Sequence, residues 1–164
     1  MAGKANRNRN AGHGWEREMS TLLNDQKVFP EVGTARELSR NYDANKIDIV
    51  TRVIEEMPDL GLAIQAKTTT VTSPYPKLLA ELKSGMKVLG LNLLPVVFHK
   101  HTKRVGERFM PKGNYAIMYL EDFIPLYTKK TAFEKGFVLL QKYFDCIPDE
   151  DKPEINKQLI KLGL

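Results

Sequence analysis

Two short segments constrain this chain more than anything else in it. Lys46 to Val53 (KIDIVTRV) and Leu62 to Thr70 (LAIQAKTTT) both alternate and are rich in β-branched residues. That is the pattern of strands on a pleated, half-buried surface. The connection over 55–61 holds Pro58 and Gly61 and reads as a turn. It is too short for a crossover, so the two strands are expected to pair antiparallel. Side chains alternate between faces with a period of two. With Ile47 and Ile49 on one face, Asp48 points to the other. With Ile64 and Ala66 sharing a face, Gln65 and Lys67 project together from the opposite one. Such a hairpin brings a carboxylate, a carboxamide oxygen and an ammonium to one place.

The rest of the chain supplies elements to surround that hairpin. Residues 1–13 are small, polar and basic, and read as a flexible basic arm. From Trp15 the spacing turns helical, with Trp15, Met19, Leu22 and Leu23 on one stripe. A short strand is expected to start at 28–32, followed by a polar, Arg-rich surface loop over 33–45. After a turn at 73–76, Leu78, Leu79, Leu82 and Met86 mark a helix that Gly90 ends. Leu93 to His101 reads as a buried strand, 102–113 as a basic loop and 115–120 as another strand. A short helix or turn over 122–127 follows. Further helices are expected over 131–145 (Phe133, Phe137, Leu140, Phe144) and 154–162. The expected order is α-β-β-β-α-β-β plus C-terminal helices, a single mixed α/β domain over 14–164.

Charge narrows the partners. Over 164 residues the formal net charge is +5, and the distribution is uneven. From Lys67 to Arg108 there are eight basic residues (Lys67, Lys77, Lys83, Lys87, Lys100, Lys103, Arg104, Arg108) against Glu81 and Glu107. Lys4, Arg7 and Arg9 stand in an N-terminal stretch with no acid. Phosphate neutralisation favours nucleic acid for such a pattern, although an ordinary solvated basic face fits the charge alone. No apolar run is long enough to span a membrane. A lone cysteine, Cys146, leaves no internal disulfide and fits a reducing compartment, so a cytoplasmic location with no membrane partner is expected.

The three hairpin groups suit metal-assisted phosphodiester hydrolysis. Asp48 is a candidate Mg²⁺ ligand, because that ion takes oxygen donors. The Gln65 carbonyl oxygen is a candidate second, neutral ligand. Lys67 is placed to position the attacking water, help deprotonate it, or stabilise charge developing on the phosphate. Read blandly, Asp48 is a solvated strand residue and Lys67 an edge lysine that discourages aggregation.

The spacing D-x(n)-(D/E/Q)-x-K across a hairpin resembles the PD-(D/E)xK nuclease superfamily. The segment GHGWEREMSTLL (12 onward) is similar to the helix that opens archaeal-type Holliday junction resolvases, where a metal-binding glutamate follows an aromatic residue. The resemblance covers roughly residues 12–70. It implies a restriction-endonuclease-like mixed central sheet flanked by helices. By the same likeness Glu16 is the helix ligand, Asp48 the first motif carboxylate and Lys67 the lysine. Glu18 lies about as far round the helix from the Trp15–Met19 stripe, at about 100° per residue; the resemblance alone favours Glu16. Two departures stand out. Gln65 replaces the usual acid of the second motif, as in methyl-directed restriction nucleases, and Ile47 replaces the proline of the first.

The expectation is therefore a Mg²⁺-dependent endodeoxyribonuclease, with Mn²⁺ as a substitute ion, acting on DNA and first of all on branched DNA. Glu16, Asp48, Gln65 and Lys67 are its candidate catalytic residues, the first three its metal ligands. Arg36, Ser39 and Arg40, before the metal strand, and Lys100, Lys103 and Arg104, in the later cluster with His99 and His101, are candidate DNA contacts. Symmetric cutting of paired strands requires two sites and hence a homodimer. The alternatives are a restriction- or repair-type nuclease on linear duplex, or a nuclease fold that has lost turnover and serves as a DNA-binding or assembly subunit.

Overall fold

The computed structural model describes residues 2–27, 29–106, 108–131, 152–153 and 157. The chain divides into two compact units, Met1–Tyr119 and Leu120–Leu164. The first opens with helix α1 (Ala2–Asp25), then strand β1 (Val32–Thr34) and two short helices, α2 (Ala35–Leu38) and α3 (Arg40–Ala44). Strand β2 (Ile49–Thr51), a 3₁₀ turn (Ile54–Glu56) and the single turn α4 (Met57–Leu60) lead into β3 (Leu62–Thr69). Helix α5 (Tyr75–Val88) and strands β4 (Leu94–Val105) and β5 (Arg108–Ile117) complete it.

The five strands form one mixed sheet in chain order, β1-β2-β3-β4-β5. β1, β2 and β3 pair antiparallel through short connections, with Ile49 opposite Ile64 at the β2–β3 seam. α5 carries the chain across the sheet, so β4 runs parallel to β3, as a crossover helix requires. β5 returns antiparallel to β4. Leaving aside the one-turn helices, the order α-β-β-β-α-β-β is the one expected.

One core joins the α1 side chains Trp15, Met19 and Leu23 to Val32, Ile47, Ile49, Ile64, Leu82 and Met86. A fully buried Ile or Leu contributes roughly 1.5–3 kcal/mol by area, so these contacts fix α1 against the sheet. A second cluster unites Leu78, Leu79 and Val97. Two polar clamps refine the docking. The Asn24 side chain accepts the Val32 N–H at 2.8 Å and donates to the Val32 carbonyl at 3.1 Å. The Trp15 indole N–H donates to the Phe98 carbonyl at 3.0 Å.

Several local expectations change. α1 begins at Ala2, so the segment expected as a separate arm continues the helix; nothing in it is a proline, and an amphipathic helix already nucleated at Trp15 propagates one residue per hydrogen bond. The strand at 46–53 shortens to Ile49–Thr51, because Lys46 has φ +66° and Asp48 pairs through its side chain. The loop at 33–45 folds into α2 and α3. The basic loop at 102–113 is a two-stranded ribbon of β4 and β5. In the second unit, residues 120–131 are helical. The apolar residues of the helix expected over 131–145, and nearly all of 154–162, lie outside the described residues. Among the described residues no helix is long and apolar enough to cross a membrane.

Candidate functional site

Asp48 sits where β2 and β3 part. Its backbone N–H donates to the Ile64 carbonyl at 2.8 Å, and its Oδ2 accepts the Ala66 N–H at 2.7 Å. The carboxylate thus takes a ladder position that a backbone carbonyl would fill in a continuous strand. This fixes the carboxyl group and lets the strands diverge beyond it. The Asp48 carbonyl is held as well, by the Ala35 N–H at 2.8 Å. Burial pushes the Asp48 carboxyl up to about 6, against the opposing pull of the Ala66 N–H and Lys67, with Glu16 and Asp43 adding to the rise.

Glu16 reaches the same place from α1. It is buried on the face of α1 that carries Trp15, Met19 and Leu23. Burial raises its carboxyl above the ordinary range, while Arg36 draws it back down. Arg36, on α2, lies between two acids: its Nε is 3.8 Å from Glu16 Oε2 and its Nη2 3.5 Å from Asp43 Oδ1. Gln65, in the middle of β3, is 1 % exposed, and its Oε1 has no hydrogen-bond partner among the described residues. An unsatisfied buried acceptor costs roughly 1–3 kcal/mol, a cost that a ligand donating to or coordinating that oxygen removes. Lys67 follows two residues on, half-buried.

These side chains line one cleft of about 370 Å³, with Arg36, Asp43, Lys46 and Thr68 around them and Gly12 and His13 of α1 at its wall. The four candidate catalytic residues, taken from three separate elements, therefore converge. The donor set is two desolvated carboxylates and an orphaned carboxamide oxygen, all hard oxygen ligands, which fits a divalent cation of the Mg²⁺ class. Among the described residues no group of three His, Cys, Asp or Glu side chains is placed to hold a metal. The Gln65 oxygen is the neutral acceptor beside the two carboxylates in that cleft.

The candidate DNA contacts divide. Arg36 is in the cleft, whereas Ser39 joins α2 to α3 and Arg40 is exposed at the start of α3; neither lines it. Lys100 is ion-paired with Glu18 and lies 5.0 Å over the Trp15 ring, so it braces α1 against β4. Lys103 and Arg104 are exposed on the distal part of β4. His99 is buried, its ring bridging the Tyr75 hydroxyl at 2.7 Å and Thr69 Oγ1 at 2.9 Å. Asp43 and Lys46 were not singled out by sequence. Asp43 stood in a polar segment without hydrophobic spacing; only a place two short turns beyond Arg36 hinted at a pair. No protein-family model, curated protein or solved structure matches this chain.

Proposed function

We propose that this protein is a Mg²⁺-dependent endodeoxyribonuclease with a restriction-endonuclease-like fold, acting on branched DNA in the manner of a Holliday junction resolvase. The observation that carries the reading is the convergence of Glu16, Asp48, Gln65 and Lys67 on one cleft, with the Gln65 oxygen buried and unpartnered. Glu16, Asp48 and Gln65 would hold the cation, which when bound supplies Lewis acidity to a phosphoryl oxygen and a lowered pKa to a water. The Ala66 N–H pins Asp48 through Oδ2 and leaves Oδ1 to a ligand. Lys67 lies beside these acids in the cleft and is placed to stabilise the charge that develops on a phosphate in the transition state. Arg36, shared between Glu16 and Asp43, brings a guanidinium to the cleft lining for a flanking phosphate.

The test is a cleavage assay in Mg²⁺ on linear, flapped and four-way DNA, run beside Asp48→Asn. Asparagine keeps an oxygen for the Ala66 N–H and removes only the charge, so the variant should fold, bind DNA and lose cleavage by 100-fold or more, about 2.7 kcal/mol of barrier. Cleavage of linear duplex in preference to junctions would assign a restriction- or repair-type role. A wild type that binds DNA and cuts none of the three would leave a DNA-binding subunit, and cutting by Asp48→Asn at the wild-type rate would remove Asp48 from the chemistry.

A further inference from the structure

Beyond the cleft, the outer part of β4 and β5 forms a two-stranded ribbon that closes at Gly106, whose φ of +59° suits a two-residue hairpin turn. Lys103 pairs with Met110, Arg104 with Phe109 and Val105 with Arg108. Paired residues share a face and neighbours alternate. One face thus carries Lys103, Val105, Arg108 and Met110, and the other Arg104 and Phe109. Both faces meet solvent: Val105, Phe109 and Met110 are 53 %, 57 % and 47 % exposed. A lone two-stranded ribbon is marginal in water, and large apolar side chains clustered on one mark a surface used for binding. In the sequence over 103–112 four bases, Lys112 included, stand against one acid, Glu107.

We propose that this ribbon is a second DNA-binding element, which enters the major groove of a duplex arm beside the cleft. Lys103, Arg104, Arg108 and Lys112 meet phosphates, and Phe109, on the face it shares with Arg104, lies against base edges. A major groove about 12 Å wide admits such a ribbon. The irregularity in register between His101 and Thr102 adds local twist and re-aims the ribbon, as bulges do. Position supports the same partner. His99 is level with Lys67 across the parallel β3–β4 seam, and Lys103 is four residues further along β4. At about 3.3 Å per residue that is roughly 13 Å, well inside one helical turn of a duplex whose backbone reaches the cleft. The proposal rests on the DNA reading of the cleft, but not on cleavage.

The experiment measures binding of a short fluorescent duplex by the whole protein in EDTA, over a range of salt concentrations. Removing the charges together in Lys103→Gln/Arg104→Gln/Arg108→Gln should make the slope of log K against log salt shallower by about 2 to 3 and weaken binding at least about tenfold, at about 0.9 per phosphate contact. Phe109→Ser should weaken binding several-fold and leave the slope alone. Hydrogen exchange on the wild type, independent of any variant's folding, should show amides over 103–112 protected by the duplex. An unchanged slope and affinity in the triple variant, or no protection of 103–112, overturns the proposal. So does a wild-type dimer that Phe109→Ser turns monomeric, since the ribbon would then join two copies of the chain. A wild type that binds duplex through 103–112 and cuts no DNA defeats the nuclease reading while the ribbon stands; one that cuts four-way DNA but binds no duplex defeats the ribbon while the nuclease reading stands.

Discussion

Asp48 has two tasks that pull against each other. Its carboxylate completes the β2–β3 hydrogen bonding through Ala66, yet it does so while buried among Glu16 and Asp43. With a folded value of about 6 against 3.8 in the open chain, the native state holds the extra proton between those values. Asp48 therefore contributes most below about pH 4, and that contribution is lost as pH rises through about 6, on the order of 3 kcal/mol in all. Asp48→Asn abolishes the titration and keeps the acceptor. In EDTA, its stability relative to wild type in urea unfolding should grow between about pH 4 and pH 7 by that order, and parallel curves for the two proteins would refute the assignment. Gln65 presents the complementary case, a buried oxygen with no charge. Gln65→Glu adds a charge at a similar distance and should tighten Mg²⁺ binding about tenfold or more, roughly 1.4 kcal/mol, in a calorimetric titration. An unaltered affinity would place Gln65 outside the ligand set.

At the scale of elements, α5 decides where Asp48 can stand. Gly85 lies against the loop before β2 so closely that a Cβ there would come within 2.0 Å of the Asn45 carbonyl oxygen. Gly85→Ala gains about 1 kcal/mol of helix propensity but overpacks a backbone contact. A net loss in the range of roughly 1–3 kcal/mol is expected, measurable by denaturant unfolding; a stabilised variant would mean that the loop yields freely. The helix α1 shows how far sequence could carry the site. Measured from Trp15 and Met19, Glu16 and Glu18 were equally placed, but Leu22, expected on the same stripe, is 50 % exposed and Ser20 is buried instead. The true stripe of Trp15, Met19, Ser20 and Leu23 is rotated toward Glu16 and away from Glu18, which pairs with Lys100. By contrast, the alternation of Ile47, Asp48 and Ile49 and of Ile64, Gln65 and Ala66 was legible, because successive side chains of a strand point to opposite faces, even though both faces are buried here. The β4–β5 ribbon was not: with solvent on both faces it has no apolar alternation, and Pro111 and Gly113 read as loop. Contacts made through tertiary structure alone, such as Arg36 between Glu16 and Asp43, leave no periodic trace at all.

For the whole molecule, the proposed substrate sets a requirement that a single cleft does not meet. Two symmetric cuts across a four-way junction need two sites related by a two-fold axis, and so two copies of the chain meeting through one self-complementary patch. The first unit contains all of Glu16, Asp48, Gln65 and Lys67. In the second unit, Leu120, Phe123, Ile124 and Tyr127 recur at the spacing of one helical face within 120–131, and all four are exposed. The Phe123 and Tyr127 rings stack with centroids 5.8 Å apart, which gives that face a broad, preformed apolar surface of the kind that marks association. Ile124→Asp places a charge at its centre. In analytical ultracentrifugation the wild type should sediment as a dimer and the variant as a monomer, because a lone carboxylate in an apolar interface costs several kcal/mol. The variant should still nick junction strands singly, since its cleft is untouched, and lose the paired cuts. Were the wild type monomeric and still able to make paired cuts, symmetric dimeric resolution would be the wrong account of how this cleft is used.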